Sequence, residues 1–157
     1  TTLLHSPADL EGHCTRDGKF YLLDFSRTMP PESARVLRER QKTDNEPLVS
    51  LKGSVFFRLL RPEFVKTYQR PLCSDAYTGF IRADKNWAIH EKEVDEATIY
   101  LLDHVIPKFV HNNLTWYIME AKGRNDLHKI SLSEILHTRG ISMRHIGFLL
   151  RHTRESS

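Results

Sequence analysis

Two acidic residues flank the most strand-like segment of the chain, and that is the first place where chemistry could sit. Asp9 lies in ADLEGH and Asp24 closes DGKFYLLDFSR. A loop acid, a strand and a second acid form the layout by which phosphoryl-transfer enzymes supply a base and hold Mg²⁺ against phosphate charge. The spacing is short for that purpose. No HRD triplet, no asparagine for a second metal and no APE triplet accompanies the pair. The same residues are explained by Asp24 capping a turn or pairing with Arg27. A kinase-like nucleotide-binding remnant therefore stands as an alternative reading.

The second candidate is Ser131 to Leu150, SLSEILHTRGISMRHIGFLL, which has the outline of a helix-turn-helix. Gly140 would sit at the turn, Ser142 would open the second helix, and Ile146 and Leu149 would face inward. Arg144, His145 and Arg151 would then be available to base edges in the major groove. Leu136 stands where close helix crossing wants a small residue, and an ordinary αα-hairpin shares the whole pattern. A DNA-binding reading ranks third.

The third candidate is charge. From residue 139 onward Arg139, Arg144, Arg151 and Arg154 face one acid, Glu155, with His145 and His152 interleaved. The whole chain carries 23 Lys+Arg against 20 Asp+Glu, a formal +3, so the positive excess is a local feature of this stretch. Such a patch can neutralise phosphates, and Arg139, Arg144, His145, Arg151 and Arg154 form the candidate binding surface. Phe148 is the one aromatic residue within it, a weak platform for base stacking.

The elements that would position these residues follow from periodicity. Asp17–Phe25 begins with a DG turn signal and continues with aromatic and aliphatic residues on both faces, which predicts an interior strand paired with the segment around Leu3–Leu10. Pro30-Pro31 ends it. Glu32–Lys42 is a charged, solvent-facing helix or loop leading into TDNEP. Leu51–Tyr68 carries a helical stripe broken at Pro62, a residue suited to the first position of a second helix. Glu91–Leu114 has Val94, Ala97, Thr98, Leu101, Leu102, Val105, Ile106, Phe109 and Val110 on one side, which predicts the main helix, kinked or split at Pro107. Leu127–Arg139 and Ser142–Arg151 are short helices joined through Gly140, a natural C′ residue. The fold class is α+β: one mostly helical domain over 1–157, with a small antiparallel sheet near the N-terminus covered by the helices at 51–68, 91–114 and 127–151.

At 157 residues with 39% hydrophobic and 27% charged residues, the composition suits one folded domain and disfavours disorder. No apolar run approaches the roughly 18 residues that span a bilayer, so membrane insertion is not expected. Cys14 and Cys73 form no CxxC, and the nine histidines form no HExxH; no disulfide framework, metal or cofactor is expected. This usage fits a cytoplasmic chain. The abrupt start and polar end suggest a fragment of a larger multidomain protein.

Several blocks in order, DLEGH, DGKFYLLDFSRTMPPE, FFRLLRPEFVKTY, PLCSDAYTGF, VIPKFV and HTRGISMRHIG, closely resemble the Clu (clustered mitochondria protein) domain and its protist relatives over residues 8–147. Ser142 stands where that family usually has Asn, and Ile146 follows His145 where Tyr-Leu is common. The resemblance implies a non-enzymatic cytosolic scaffold linked to mitochondrial distribution and to binding of mRNAs or the translation machinery, set among other domains of a parent chain, with no agreed catalytic residues. Read physically, the structural motif residues are Asp24, Arg27, Asp75, Gly140 and Gly147. Gly140 and Gly147 would let the last helix approach the Phe20–Phe25 strand, Arg144 would reach back to Asp24 or Asp75, and Arg27 with Asp75 would form an ion pair or a ligand site.

Overall fold

The computed structural model describes residues 6–41, 55–124 and 131–155. Residues 3–5, 51–54 and 127–130, which the expectations above include, and the TDNEP segment lie outside the described residues. The architecture is α+β. Strands β1 (Glu11–Cys14) and β2 (Phe20–Leu23) pair antiparallel, with Glu11 opposite Leu23 and Cys14 opposite Phe20. Among the described residues seven α-helical segments follow: α1 (Ala34–Gln41), α2 (Pro62–Thr67), α3 (Trp87–Tyr100), α4 (Ile106–Phe109), α5 (Thr115–Arg124), α6 (Leu132–Thr138) and α7 (Ile146–Glu155).

The hairpin turns where Asp17-Gly18 predicts a turn. Gly18 has φ +77°, a left-handed backbone open mainly to glycine, and the Thr15 N–H donates to the Lys19 carbonyl at 2.9 Å. Two expectations fail here. The partner of β2 is Glu11–Cys14 and not the segment around Leu3–Leu10, because a five-residue turn brings the adjacent residues into register. The strand is also not interior, nor do the helices cover it: Phe20 is 82% exposed, and Tyr21, Leu22, Leu23 and Phe25 are about half exposed or more. An apolar strand reads as buried from sequence, yet the core of this chain is built from helices elsewhere.

That core is the face of one long helical run, α3 to α5. Val94, Ala97, Leu101, Leu102, Ile106, Phe109 and Val110 are all buried on it, the stripe expected from their spacing. Fully burying a large aliphatic or aromatic side chain contributes about 1.5–3 kcal/mol. Pro107 neither splits nor ends the run. It lacks an N–H, and its ring would clash with the carbonyl four residues back. The chain instead widens into π-helical turns at Leu101–Val105 and Val110–Leu114, the first closed by the Ile106 N–H on the Leu101 carbonyl. A π turn displaces the carbonyl that the proline would strike.

Helix α1 packs across α3. Ser33 accepts from the Val36 N–H at 3.2 Å and so caps α1, while its own N–H donates to Thr98 Oγ1 at 2.9 Å. This start is buried, with Glu32, Ser33, Val36 and Leu37 all excluded from water. The expected solvated segment is therefore solvated only on its outer face, where Arg35, Arg38, Glu39 and Arg40 lie. Pro62 occupies the first turn of α2, as its fixed φ favours.

Gly140 closes the core. Its φ is +73°, and a Cβ there would lie 2.6 Å from the backbone N and Cβ of Phe64. The close approach is thus to α2 and not to the Phe20–Phe25 strand, since the exposed hairpin does not reach it. The Ile141 N–H then donates to the Leu136 carbonyl at 3.0 Å, completing the C-terminus of α6. Gly18 provides the comparison: it has the same handedness, but a Cβ there would meet nothing within 4 Å. Gly140→Ala should lower stability by roughly 2–5 kcal/mol, from left-handed strain plus overpacking, and Gly18→Ala by about 1–2 kcal/mol from strain alone. Urea melts of the two variants measure the difference; equal losses would refute the packing role of Gly140.

Candidate functional site

Proline geometry and helix capping bring together two segments more than a hundred residues apart. Pro30-Pro31 is extended, and the chain from Pro30 to Glu32 lies against Arg58–Leu60 in a short antiparallel bridge. The Glu32 N–H donates to the Arg58 carbonyl at 2.7 Å and the Leu60 N–H to the Pro30 carbonyl at 2.8 Å. This presents the Glu32 side chain inward, where it is 1% exposed. On the other side a 3₁₀ turn, Met143–His145, opens α7 and delivers Arg144 and His145 to the same point.

A buried carboxylate would be costly without partners, and Glu32 has two. Arg144 engages it with two nitrogens: Nε donates to Oε2 at 3.3 Å and Nη2 donates to Oε1. The same Nη2 donates to the Leu59 carbonyl at 2.7 Å, and Nη1 to Ser142 Oγ at 3.2 Å. His145 is fully buried, with Nε2 at 3.1 Å from Glu32 Oε2. Its Nδ1 accepts from the Ser142 N–H at 3.3 Å. With Nδ1 accepting, Nε2 is the ring nitrogen that donates to Glu32. Burial alone would push the Glu32 carboxyl up; His145 and Arg144 outweigh it and hold it below the ordinary value.

A second cluster ties the N-terminal segment down. Arg27, 4% exposed on its side chain, meets Asp9 through Nε at 2.6 Å and Nη2 at 2.6 Å, and Asp75 through Nη2 at 3.2 Å. Asp75 also accepts from the Ala8 N–H at 2.9 Å, and the guanidinium lies 4.9 Å over the Phe80 ring. The hydrogen bond and charge of Arg27 hold the Asp9 carboxyl below its usual range. A third cluster centres on buried Asp95, which accepts from Arg35 and from the Tyr77 hydroxyl.

The residues singled out from sequence thus divide. Arg27 and Asp75 are together, in an ion pair completed by Asp9, the acid whose position suggested phosphoryl-transfer chemistry. Asp24 is elsewhere: exposed, at φ +59°, its carboxylate accepts from Ser26. Arg144 reaches neither Asp24 nor Asp75, because the bridge at Pro31 places Glu32 directly before it. Arg144 and His145 also leave the candidate basic surface and the helix-turn-helix reading, since their polar atoms are engaged by Glu32, Ser142 and the Leu59 carbonyl. Ile146, expected inward, is 41% exposed, because the 3₁₀ turn rotates the start of α7. Arg139 and Arg154 are exposed, while Arg151 is half-buried with its guanidinium 5.5 Å over Phe148. Gly147 lies half-buried in α7. Among the described residues no group of three or more His, Cys, Asp or Glu side chains is placed to hold a metal ion, and no helix is long and apolar enough to cross a membrane. Glu32 was the residue missed; the signal was a lone acid directly after a proline pair, in the block PPE.

The Glu32–Arg144–His145 clasp joins the PPE and RGISMRH blocks, of which the matching family model reaches only the first. The family model described as Clustered mitochondria matches residues 1–34, a span that ends just past Glu32. A Clustered mitochondria protein homolog of Aspergillus fumigatus is 32% identical over 87 residues, 54% of this chain and 6% of that protein. Its counterpart in Aspergillus terreus is 26% identical over 133 residues, 83% of this chain and 9% of that protein. The chain is similar to Clustered mitochondria proteins over most of its length. A Coccidioides immitis member is 29% identical over 98 residues, 58% of this chain and 7% of its own. The chain thus spans less than a tenth of the length of these Clu proteins. No solved structure matches.

The depressed Glu32 pKa sets a pH signature. Its charged form is favoured by folding, so the stabilisation is fully present above the ordinary glutamate value of 4.5 and is lost as pH falls through the lower folded value. Glu32→Gln leaves Arg144 without its anion and should cost about 3–5 kcal/mol at neutral pH. Urea melts of both proteins across the acid range should show the gap shrinking below pH 4.5; a gap independent of pH would rule out an ionised Glu32.

Proposed function

We propose that this chain acts as a non-enzymatic Clu-type module, one part of a longer cytoplasmic protein, that serves mitochondrial distribution and binds mRNA. The observation that carries the reading is the set of Clustered mitochondria relatives, which between them match most of the chain. The buried polar clusters agree with a scaffold: Glu32, Arg27 and Asp95 each have their charge taken up by neighbouring side chains, and each joins segments distant in sequence. Groups so engaged hold the chain in one arrangement. They are not presented to a substrate.

The RNA-binding part of the proposal rests on the exposed basic residues of the C-terminal stretch, Arg139 and Arg154, with Arg151 beside them. Phosphate neutralisation by such residues is independent of base sequence and weakens as salt rises. Arg144 and His145 contribute nothing to that surface.

Fluorescence anisotropy with a single-stranded RNA, repeated across a salt series, tests this. Arg139→Ala and Arg154→Ala should each weaken binding across sequences and lower the slope of log affinity against log salt by about one unit or less. Binding that is absent, or indifferent to salt and to both substitutions, would end the RNA reading while leaving the similarity to Clustered mitochondria proteins untouched.

A further inference from the structure

A groove of about 380 Å³ opens between α2, the long helical run and the end of α6, and its wall includes Glu63, Tyr100, His104, Lys108 and Arg139. This volume is at the lower end of the roughly 300–1,000 Å³ usual for small-molecule clefts.

Its charge is one-sided. Both oxygens of Glu63 are taken by Arg61, at 3.0 and 2.9 Å, so the acid of the groove is already paired. Arg27, Arg35, Arg40, Arg70 and Arg144 each meet a carboxylate elsewhere. Lys108 and Arg139 have no carboxylate partner among the described residues, and both line this groove. The nearby C-terminus of α6 would oppose an anion through its dipole. Its last carbonyls are occupied, however: Ile135 by Thr138 Oγ1, Leu136 by the N–H groups of Arg139 and Ile141, and His137 by that of Gly140.

The remaining wall is aromatic and held in place. Tyr100 is 45% exposed, yet it is backed by Tyr68 at 5.7 Å and by buried Phe64 at 6.5 Å between ring centroids, with His104 at 5.3 Å on the groove side. Tyr100, His104 and Lys108 recur every four residues along the helical run, which stacks them on one face. The π turn at Leu101–Val105 lies within that face. Gly140 pinned against Phe64 fixes the backbone beside Arg139.

From this arrangement we infer that the groove binds a small phosphate-bearing ligand with a planar ring, of the mononucleotide class, with the phosphate between Lys108 and Arg139 and the ring against Tyr100 and His104. The step is one of binding alone. It goes beyond the RNA reading, and the two fail separately: Lys108 belongs to the groove and not to the C-terminal basic stretch.

Calorimetric titration of the 157-residue chain with adenosine monophosphate tests the inference, with inorganic phosphate and adenosine as parallel arms. The nucleotide should bind saturably with a dissociation constant of about 1 mM or tighter, and each half more weakly. Lys108→Ala and Arg139→Ala should each weaken the nucleotide roughly tenfold or more, the effect of losing one charge-assisted hydrogen bond. Arg16→Ala, on the exposed hairpin turn and outside the groove, should leave it unchanged. Tyr100→Ala should weaken the nucleotide and leave inorganic phosphate as it was; thermal melts confirm that the variants are folded, and His104→Ala repeats the ring test if Tyr100→Ala is not. Absence of saturable binding, or binding indifferent to Lys108 and Arg139, overturns the site. Adenosine binding as tightly as the nucleotide removes the phosphate assignment, and phosphate binding as tightly removes the ring assignment; either overturns the mononucleotide proposal.

Discussion

One buried carboxylate ties together segments from near the two ends of the described chain. Glu32 sits where water does not reach, so its charge must be compensated by protein groups, and the compensation comes from residues 112 and 113 positions later in the chain. The requirement propagates outward. Glu32 is presented by an extended proline pair lying against Arg58–Leu60, which fixes the approach to α2. Arg144 is presented by the turn that opens α7, and it also holds the Leu59 carbonyl. His145 is pinned in one tautomer by the Ser142 backbone. Removing any of these would strand a buried polar group, a cost larger than the net worth of the pair itself. The clasp thus acts mainly to specify one arrangement of α1, α2 and α7, and the surrounding apolar core supplies most of the stabilisation.

That core explains the geometry of the long helical run. Its inner face must keep Leu101, Leu102, Ile106, Phe109 and Val110 buried while passing Pro107. A sharp kink would withdraw part of the stripe from the core. Two π turns keep the stripe facing inward while absorbing the missing donor. They also alter the local spacing of the outer face, where His104 and Lys108 lie beside Tyr100 along the groove.

How far the sequence foretold this depends on whether a segment's surroundings are local. The helical stripe from Val94 to Val110, Pro62 at a helix start, Gly140 at a helix end and the DG turn were readable because periodicity and backbone preference act within a few residues. The pairing partner of Arg144 was not, since it is chosen by a bridge at Pro31 that no local pattern announces. The burial of Glu32 and Ser33 was hidden for the same reason: a highly charged segment reads as solvated unless its long-range partners are known. The hairpin erred in the opposite direction. Phe20, Leu22 and Leu23 read as interior, yet they are exposed here, within the span that the Clustered mitochondria family model matches.

The functional residues followed the same division. Local charge counting placed Arg139, Arg144, Arg151 and Arg154 in one patch, and the fold separates them by turning Arg144 and His145 inward while leaving Arg139 at a groove. The central claim is that Glu32 and Arg144 are energetically one unit. A double-mutant cycle by urea denaturation, with Glu32→Gln, Arg144→Gln and the pair, measures that directly. A coupling energy of about 1–3 kcal/mol is predicted, and losses that add to within about 0.5 kcal/mol would contradict the account.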